Sequence, residues 1–366
     1  MKMQAAVLDG VGVKFEVREV DLAAPKSGEL LVKIAASGLC ASDLNAVDGK
    51  RTLVPFPAVI GHEASGVVVE VGQNVTDFKA GDHVIMSIVP SCGACEYCQS
   101  GRPNYCSTAG AAMWVGGLFD GTSSPSMGGE RLNHFLTVAS LAQYAVVPAS
   151  GAVGIPKEMP LNRAALISCA VHTGYGAVMN TAKVSAGSRV AVFGCGGVGL
   201  NIVQGARIAG AKTIIAIDVT EEKLELAKKV GASHVANAAT SDPVAEVKKI
   251  CGGVDYAFET LGRESTIQQT WGTVDVEGTL ILVGLLNSGA KITIDAGPFV
   301  NEQSIKGCYF GSSNLRLDVP ALCKSYLSGE LFLDESISER IGLSELDVAF
   351  DRLRKGEGAR NVLVFE

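Results

Sequence analysis

SRVAVFGCGGVGLNIVQGARIAGAKTIIAID, Ser188 to Asp218, passes from a short apolar run through a glycine turn into a helical pattern, and then into a second apolar run. Val190 to Phe193 has the length and content of a buried parallel strand. The residues after it match G-x-G-x-x-G at Gly194, Gly196 and Gly199, where strand becomes helix. The first two glycines permit a tight turn and the close approach of a pyrophosphate; the third lets helix and strand pack. The helix start, with Gly197 and Val198, offers free N–H groups to phosphate oxygens. Asp218 follows the strand predicted at Ile214 to Ile217, nineteen residues after Gly199, where an acid accepts both ribose hydroxyls and repels a 2′-phosphate. NAD is favoured over NADP, the alternative being that Asp218 caps the helix beginning near Thr220. Lys223, one turn on, holds the adenosine ribose or is an ordinary solvated lysine.

Further strands are predicted at Tyr256 to Glu259 and Thr279 to Val283, each ending near glycine, as a doubly wound parallel sheet of an α/β protein requires. Beyond Phe310 the segments DVPALCKSYLSGEL and SELDVAFDRLRKGEGARNVLVFE read as a helix and as a helix plus strand that return to an earlier domain. The expected division is therefore 1–170 with 311–366, and a nucleotide-binding insertion at 171–310. A chain of 366 residues accommodates two domains of that size.

A composition that is 47% hydrophobic and 19% charged, with 43 glycines, describes a turn-rich globular protein. The net charge of −7 includes no basic block, so nucleic acid is not an expected partner. Apolar runs such as AALISCAV and TLILVGLL reach eight residues, well short of the roughly twenty a membrane helix needs. No membrane association is expected, and Asp9 interrupts the start before a secretory apolar region develops, so the expected location is cytoplasmic.

In a reducing compartment, clustered cysteines are more often metal ligands than disulfides. PSCGACEYCQSGRPNYC places Cys92, Cys95, Cys98 and Cys106 in a turn-rich segment. Four sulfurs at about 2.3 Å form the closed tetrahedral shell of structural zinc, with a disulfide pair and an iron–sulfur cluster as rivals. A closed shell does no chemistry. Cys40 in SGLCASDLNAVDG and His62-Glu63 in PAVIGHEASGVVVEVG stand out as polar interruptions, and Cys169 in LISCAVHTGYG is either a third partner or a small core residue. Two thiolates and an imidazole with one open position make a catalytic zinc shell. Asp43 then either orients the His62 ring or serves as a helix N-terminal charge. His83, His134, His172 and His234 read as ordinary turn, surface or core residues.

Taken together, the order Cys40, His62-Glu63, the four-cysteine lobe, Cys169, G-x-G-x-x-G and Asp218 resembles the zinc-dependent medium-chain alcohol dehydrogenases over the whole chain. The resemblance implies a β-rich catalytic domain of the GroES-like kind beside a Rossmann domain, two zinc ions per chain (one catalytic and one structural), NAD, and a homodimer or homotetramer. It makes Cys169 the third catalytic ligand. Ser42 becomes the acceptor of the alcohol proton, and Glu63 the neighbour of Arg360, whose family counterpart also touches the cofactor phosphates; a purely structural ion pair is the alternative. The long segment from Ser107 to Tyr144 is similar to the branch holding the liver-type and glutathione-dependent formaldehyde dehydrogenases. In that branch Phe135 and Leu136 line the substrate pocket, here expected with Ile88 and Leu285, core packing being the alternative for Phe135 and Leu136.

Asn45 stands where many relatives carry a relay histidine, and an amide cannot titrate near neutral pH. Ala41 replaces a residue that is often basic. No arginine is evident in the part of the loop where the formaldehyde branch binds its adduct's carboxylate. The expected reaction is oxidation of primary aliphatic or aromatic alcohols to aldehydes and its reverse. The alternatives are a polyol or thiol-adduct formaldehyde dehydrogenase and a non-catalytic zinc and nucleotide-binding protein.

Overall fold

The computed structural model of the protein describes residues 1–51 and 54–365. It divides into two units, one of Met1–Cys169, Asn314–Gly329 and Ile337–Glu366, the other of Ala170–Ser313 and Glu330–Ser336.

In the second unit six parallel strands, β1 (Arg189–Phe193), β2 (Thr213–Asp218), β3 (His234–Asn237), β4 (Val254–Glu259), β5 (Val274–Leu282) and β6 (Ser304–Gly307), lie in the order β3-β2-β1-β4-β5-β6. A sheet covered on both faces demands continuously apolar central strands. The core is built accordingly from Ala191 and Phe193 of β1, Ile215 and Ile217 of β2, Ala257 of β4 and Leu280 of β5. The order reverses between β1 and β4, and their C-terminal ends border the crevice where such sheets bind nucleotides. Strand β5 starts five residues earlier than the apolar pattern predicts, because Glu277 (φ 60°) lets the chain bulge before it regains register at Thr279 opposite Tyr256. The segment Glu330–Ser336, expected with the first domain, belongs to this unit. The buried Gln204 side chain accepts from Phe332 N at 2.7 Å and donates to Phe332 O at 3.0 Å.

The first unit contains two mostly antiparallel sheets. Its central strand, Glu29–Gly38, pairs on one side with Glu63–Val71 and on the other with Asn361–Val364. Gly38 is the register partner of Glu63 on one side and of Val362 on the other, and Leu39 N donates to Asn361 O at 2.9 Å. Strand pairing alone therefore delivers Cys40, His62-Glu63 and Arg360 to one place. A Cβ on Gly38 would meet Glu63 Oε2 at 2.2 Å, so only glycine admits that carboxylate.

His134, in the short strand Asn133–His134 that pairs with Ala58–Val59, is 1% exposed. Burial pushes its imidazole down to about 4. Below pH 6.5 the unfolded chain takes up a proton that the folded chain refuses, so this residue costs stability increasingly between pH 6.5 and 4. At pH 5 the loss amounts to about 2 kcal/mol. A His134→Gln variant, unfolded in urea at pH 7 and pH 5 beside the parent, should lack that part of the acid sensitivity. Equal pH slopes would refute it.

Candidate metal centres and nucleotide site

The sulfurs of Cys92, Cys95, Cys98 and Cys106 lie within 4.8 Å of one another, and all four cysteines are free of disulfides. Gly93 and Gly101 both take positive φ, which lets the turns fold the thiols inward. Cys92 N donates to Cys106 Sγ at 3.4 Å and Cys95 N to Cys92 Sγ at 3.3 Å, the arrangement that stabilises thiolates. Backbone N–H groups hold the Cys95 thiol down at about 6, while burial, with Cys95 and Cys106 as neighbours, pushes Cys98 up to about 12. Four sulfurs so close do not all ionise without a cation, and a soft divalent ion such as zinc fits the donor set.

A second group, Cys40, His62, Glu63 and Cys169, also places its donor atoms within 4.8 Å, and all four residues are buried. Cys40 caps the helix Ala41–Val47, and Asp43 on its first turn reaches both sides of the cluster. Its Oδ1 lies 2.8 Å from His62 Nδ1, and its Oδ2 accepts from Cys40 N at 2.9 Å. A carboxylate beside Nδ1 makes that nitrogen the proton carrier, so Nε2 is left as a lone-pair donor, and Nε2 has no hydrogen-bond partner. Cys169 arrives on a π-helical turn, Ile167–Val171, a local widening common at functional positions. A hydrogen bond from Cys169 and the charge of Arg360 hold the Cys40 thiol well below its ordinary range; Cys169 is pushed well above its own by the same contact and by burial. Burial raises Glu63 to about 7. Its Oε1 lies 3.3 Å from Arg360 Nη2, and Arg360 Nη1 donates to Leu39 O at 2.7 Å. One imidazole and two thiols facing one another are a donor set that fits zinc.

In the second unit Gly194 has φ 95°, Gly196 caps the helix α1 (Gly197–Ile208), and a Cβ on Gly199 would meet Gly194 O at 1.7 Å. The motif's third glycine is thus required by helix–strand contact. Asp218 Oδ2 accepts from Cys195 N at 2.7 Å, and Oδ1 from Val219 N and Thr220 N at 2.8 and 3.1 Å. The N-cap of the next helix, Glu221–Val230, is Thr220, so Asp218 braces the glycine turn rather than capping the helix. Lys223 is half-buried on the first turn of that helix.

Residues 26–157 match the family model described as alcohol dehydrogenase GroES-like domain, and residues 197–325 match the one described as zinc-binding dehydrogenase. Class-3 alcohol dehydrogenase of Drosophila melanogaster is 37% identical over 95% of this chain and 94% of its own length. The chain belongs to the zinc-dependent medium-chain alcohol dehydrogenases. S-(hydroxymethyl)glutathione dehydrogenase of Paracoccus denitrificans is 36% identical over the full length of both chains. The crystal structure of benzyl alcohol dehydrogenase from Acinetobacter calcoaceticus superposes with a TM-score of 0.95 at 33% identity, also over the whole of both chains. The two-part architecture, a GroES-like β-rich part and a doubly wound sheet, follows from the family as well as from the strand order. As a zinc alcohol dehydrogenase the chain is a nicotinamide-dependent oxidoreductase acting on a small molecule. Among the described residues no helix is long and apolar enough to cross a membrane.

Within this alcohol dehydrogenase Ser42 Oγ is 3.9 Å from Cys40 Sγ, and Asn45 stands one helical turn later. Ile88, Phe135 and Leu136 pack into one core cluster with Leu39 and Leu44. Phe135 is fully buried and meets the His62 ring edge-on, with centroids 5.9 Å apart at 64°, so it helps hold that ring in place. Leu136 takes the left-handed conformation (φ 48°), and Leu285 lies in the other unit, 45% exposed. Gly38 escaped the sequence reading, since nothing in its spacing distinguishes it from the chain's other glycines.

Asp43→Asn tests the brace on His62. The amide keeps the shape but loses the charge and can present the wrong atom to Nδ1, so affinity for the metal at this cluster should fall by about ten- to a hundredfold. Zinc competition with a chelator reads this directly; an unchanged affinity would make Asp43 a simple helix-capping charge.

Proposed function

We propose that Cys40, His62 and Cys169 hold a catalytic zinc, that Cys92, Cys95, Cys98 and Cys106 hold a structural one, and that the protein oxidises hydroxymethyl groups, R–CH2–OH, to the formyl level (an aldehyde from an alcohol, an S-formyl thioester from an S-hydroxymethyl adduct) with NAD, and the reverse. The carrying observation is the His62 ring, braced by Asp43 at Nδ1 and left with a bare Nε2 amid two thiols. Zinc, when bound there, supplies a Lewis acid that lowers the pKa of an alcohol beside it. NAD, when bound, accepts the hydride.

The chain's own residues do the rest. Asp43 fixes the ring and the Cys40 backbone together. Ser42, on the first turn beside Cys40, takes the alcohol proton as it releases its own hydroxyl proton towards solvent, and Asn45, which does not titrate, carries no proton in that step. Arg360 balances Glu63 and keeps a buried negative charge beside the thiolates compensated; its further contact with cofactor phosphate belongs to the same reading. Gly194, Gly196, Gly197, Val198 and Gly199 form the pyrophosphate turn, and Asp218, with Lys223 beyond it, takes the adenosine ribose, which supports NAD over NADP.

The sequence reading ranked simple primary alcohols ahead of thiol adducts, and the curated relatives reverse that order: the Paracoccus relative is named for S-(hydroxymethyl)glutathione. We therefore place S-hydroxymethyl thiol adducts first. A specific observation keeps aromatic and aliphatic alcohols as the second reading. Arg131, the only arginine between Ser107 and Tyr144, is committed to the carbonyls of Val115, Gly116 and Gly121 and to Asn133 Oδ1, all within 3.0 Å, which leaves it unsuited to hold an adduct's carboxylate. Strand β6 ends its sheet beside exposed Phe299 and Val300, which supports a homodimer or homotetramer.

Zinc content per chain, with NADH and NADPH formation on hydroxymethylglutathione, benzyl alcohol, hexanol and sorbitol, tests the whole reading. Two zincs and NAD-linked turnover of a hydroxymethyl substrate are expected. The faster of the adduct and benzyl alcohol decides between the readings, and one zinc without turnover would overturn the catalytic site.

A further inference from the structure

Glu259 is the last residue of β4 and is fully buried. A buried carboxylate is costly unless it is fully hydrogen-bonded, and this one is. Oε1 accepts from Leu261 N and Gly262 N at 3.0 Å each and from the Thr266 hydroxyl at 2.7 Å, and Oε2 accepts from Gly262 N at 3.0 Å. Its own carbonyl accepts from Val283 N and Gly284 N at 2.9 Å. One residue therefore gathers the chain after β4 and the chain after β5. The fit is close. A Cβ on Gly284 would meet Gly262 N at 2.2 Å and Glu259 Oε2 at 2.7 Å, and a Cβ on Gly262 (φ 68°) would meet Leu285 O at 2.3 Å.

The loop so shaped adjoins the glycine turn. Thr260 Oγ1 donates to Phe193 O at 2.8 Å and lies 3.2 Å from Gly194 O, and a Cβ on Gly194 would meet Thr260 Oγ1 at 2.5 Å. A dinucleotide crosses a doubly wound sheet at the strand-order reversal, with its pyrophosphate at the glycine turn. That reversal lies between β1 and β4. Asp218 stands on the β2 side, so the adenosine half belongs there and the nicotinamide half falls on the β4 and β5 side, against Thr260 to Gly262 and Gly284-Leu285.

We propose that Glu259 is a positioning residue for the nicotinamide half of the cofactor, its buried carboxylate holding the backbone of Leu261 and Gly262 and, through them, Leu285 in the shape that half meets. This rests on the second unit's reading as the NAD-binding part.

Glu259→Gln is isosteric, but an amide offers one acceptor oxygen where two are used and turns an NH2 towards donors. In the full-length, zinc-loaded protein, NADH affinity, read from nicotinamide fluorescence, should weaken by about ten- to a hundredfold. Affinity for ADP-ribose, which lacks the nicotinamide, should stay within about twofold by calorimetry, because its contacts lie on the β2 side. Thr266→Val removes one donor with little change of shape and should give the same selective pattern, by at least about threefold; it carries the test if the glutamine variant fails to fold. Selective loss of NADH affinity in either variant supports the proposal. Unchanged affinity for both ligands, with only a lowered melting temperature, overturns it, as does equal weakening of both, which would make Glu259 a support of the whole sheet. A parent that binds neither NADH nor ADP-ribose would overturn the NAD reading itself and the proposal with it.

Discussion

Cys40→Ala is expected, on the proposed two-zinc reading, to lower zinc from two ions per chain to one and to reduce alcohol oxidation by about ten-thousandfold or more, since a Lewis acid of this kind moves a bound hydroxyl's pKa by about nine units. The loss should be confined to chemistry. Cys40 sits just past the end of the central strand, and the pairings of Gly38 with Glu63 and Val362 do not use its side chain. The helix Ala41–Val47 loses only the sulfur that caps it, at a cost of about 1 kcal/mol or less. The Asp43–His62 contact survives, so the variant should fold, retain the lobe zinc and bind NADH. The measurement is metal analysis with turnover on one preparation. A variant that keeps two zincs, or that loses its metal and still turns over, would remove Cys40 from the site.

The site's parts were unequally legible in the sequence, for a physical reason. The glycine motif and the four-cysteine lobe are local: Gly199 must be glycine because of an atom five residues away, and the four cysteines meet through turns inside one segment. Such features survive projection onto a string. The open cluster is not local. Cys40, His62 and Arg360 converge through strand register, and Cys169 through a π-helical turn that has no counterpart in the helical period. Spacing alone left Cys169 open as a core residue, and only the family's order put it forward as a ligand. Likewise Glu259 ends a strand that reads as apolar and buried, so its carboxylate is visible as a working group only once Leu261, Gly262 and Thr266 are seen to converge on it. The start of β5 and the membership of Glu330–Ser336 were missed on the same ground: a bulge and a long-range Gln204 contact leave no periodic trace.

The lobe should behave in the opposite way to the open site, carrying stability and no chemistry. Among residues 92–106 only Asn104 and Cys106 are buried, and its two tyrosines, Tyr97 and Tyr105, are about two-fifths exposed. Their ring contact at 5.8 Å and Arg102 stacked 5.3 Å over Tyr97 contribute about 1 kcal/mol each at most at exposed sites. That is too little to order fifteen residues, each of which loses about 1 kcal/mol or more of backbone entropy on folding. On the proposed reading metal–sulfur bonds replace the missing core, since structural zinc in small domains contributes about 10 kcal/mol or more. Cys106→Ser should therefore lose the lobe zinc and become protease-sensitive within 92–115, while the rest of the first unit, with its own strands and cores, stays folded. Because Cys106 also accepts from Cys92 N, its removal loosens the segment from both ends. Limited proteolysis with mass spectrometry reads the cleavage positions, and metal analysis should show the remaining zinc still bound and removable only by disrupting Cys40, His62 or Cys169. A Cys106→Ser protein as protease-resistant as the parent would show that the lobe is held by its peptide contacts, and the structural role of its metal would fall.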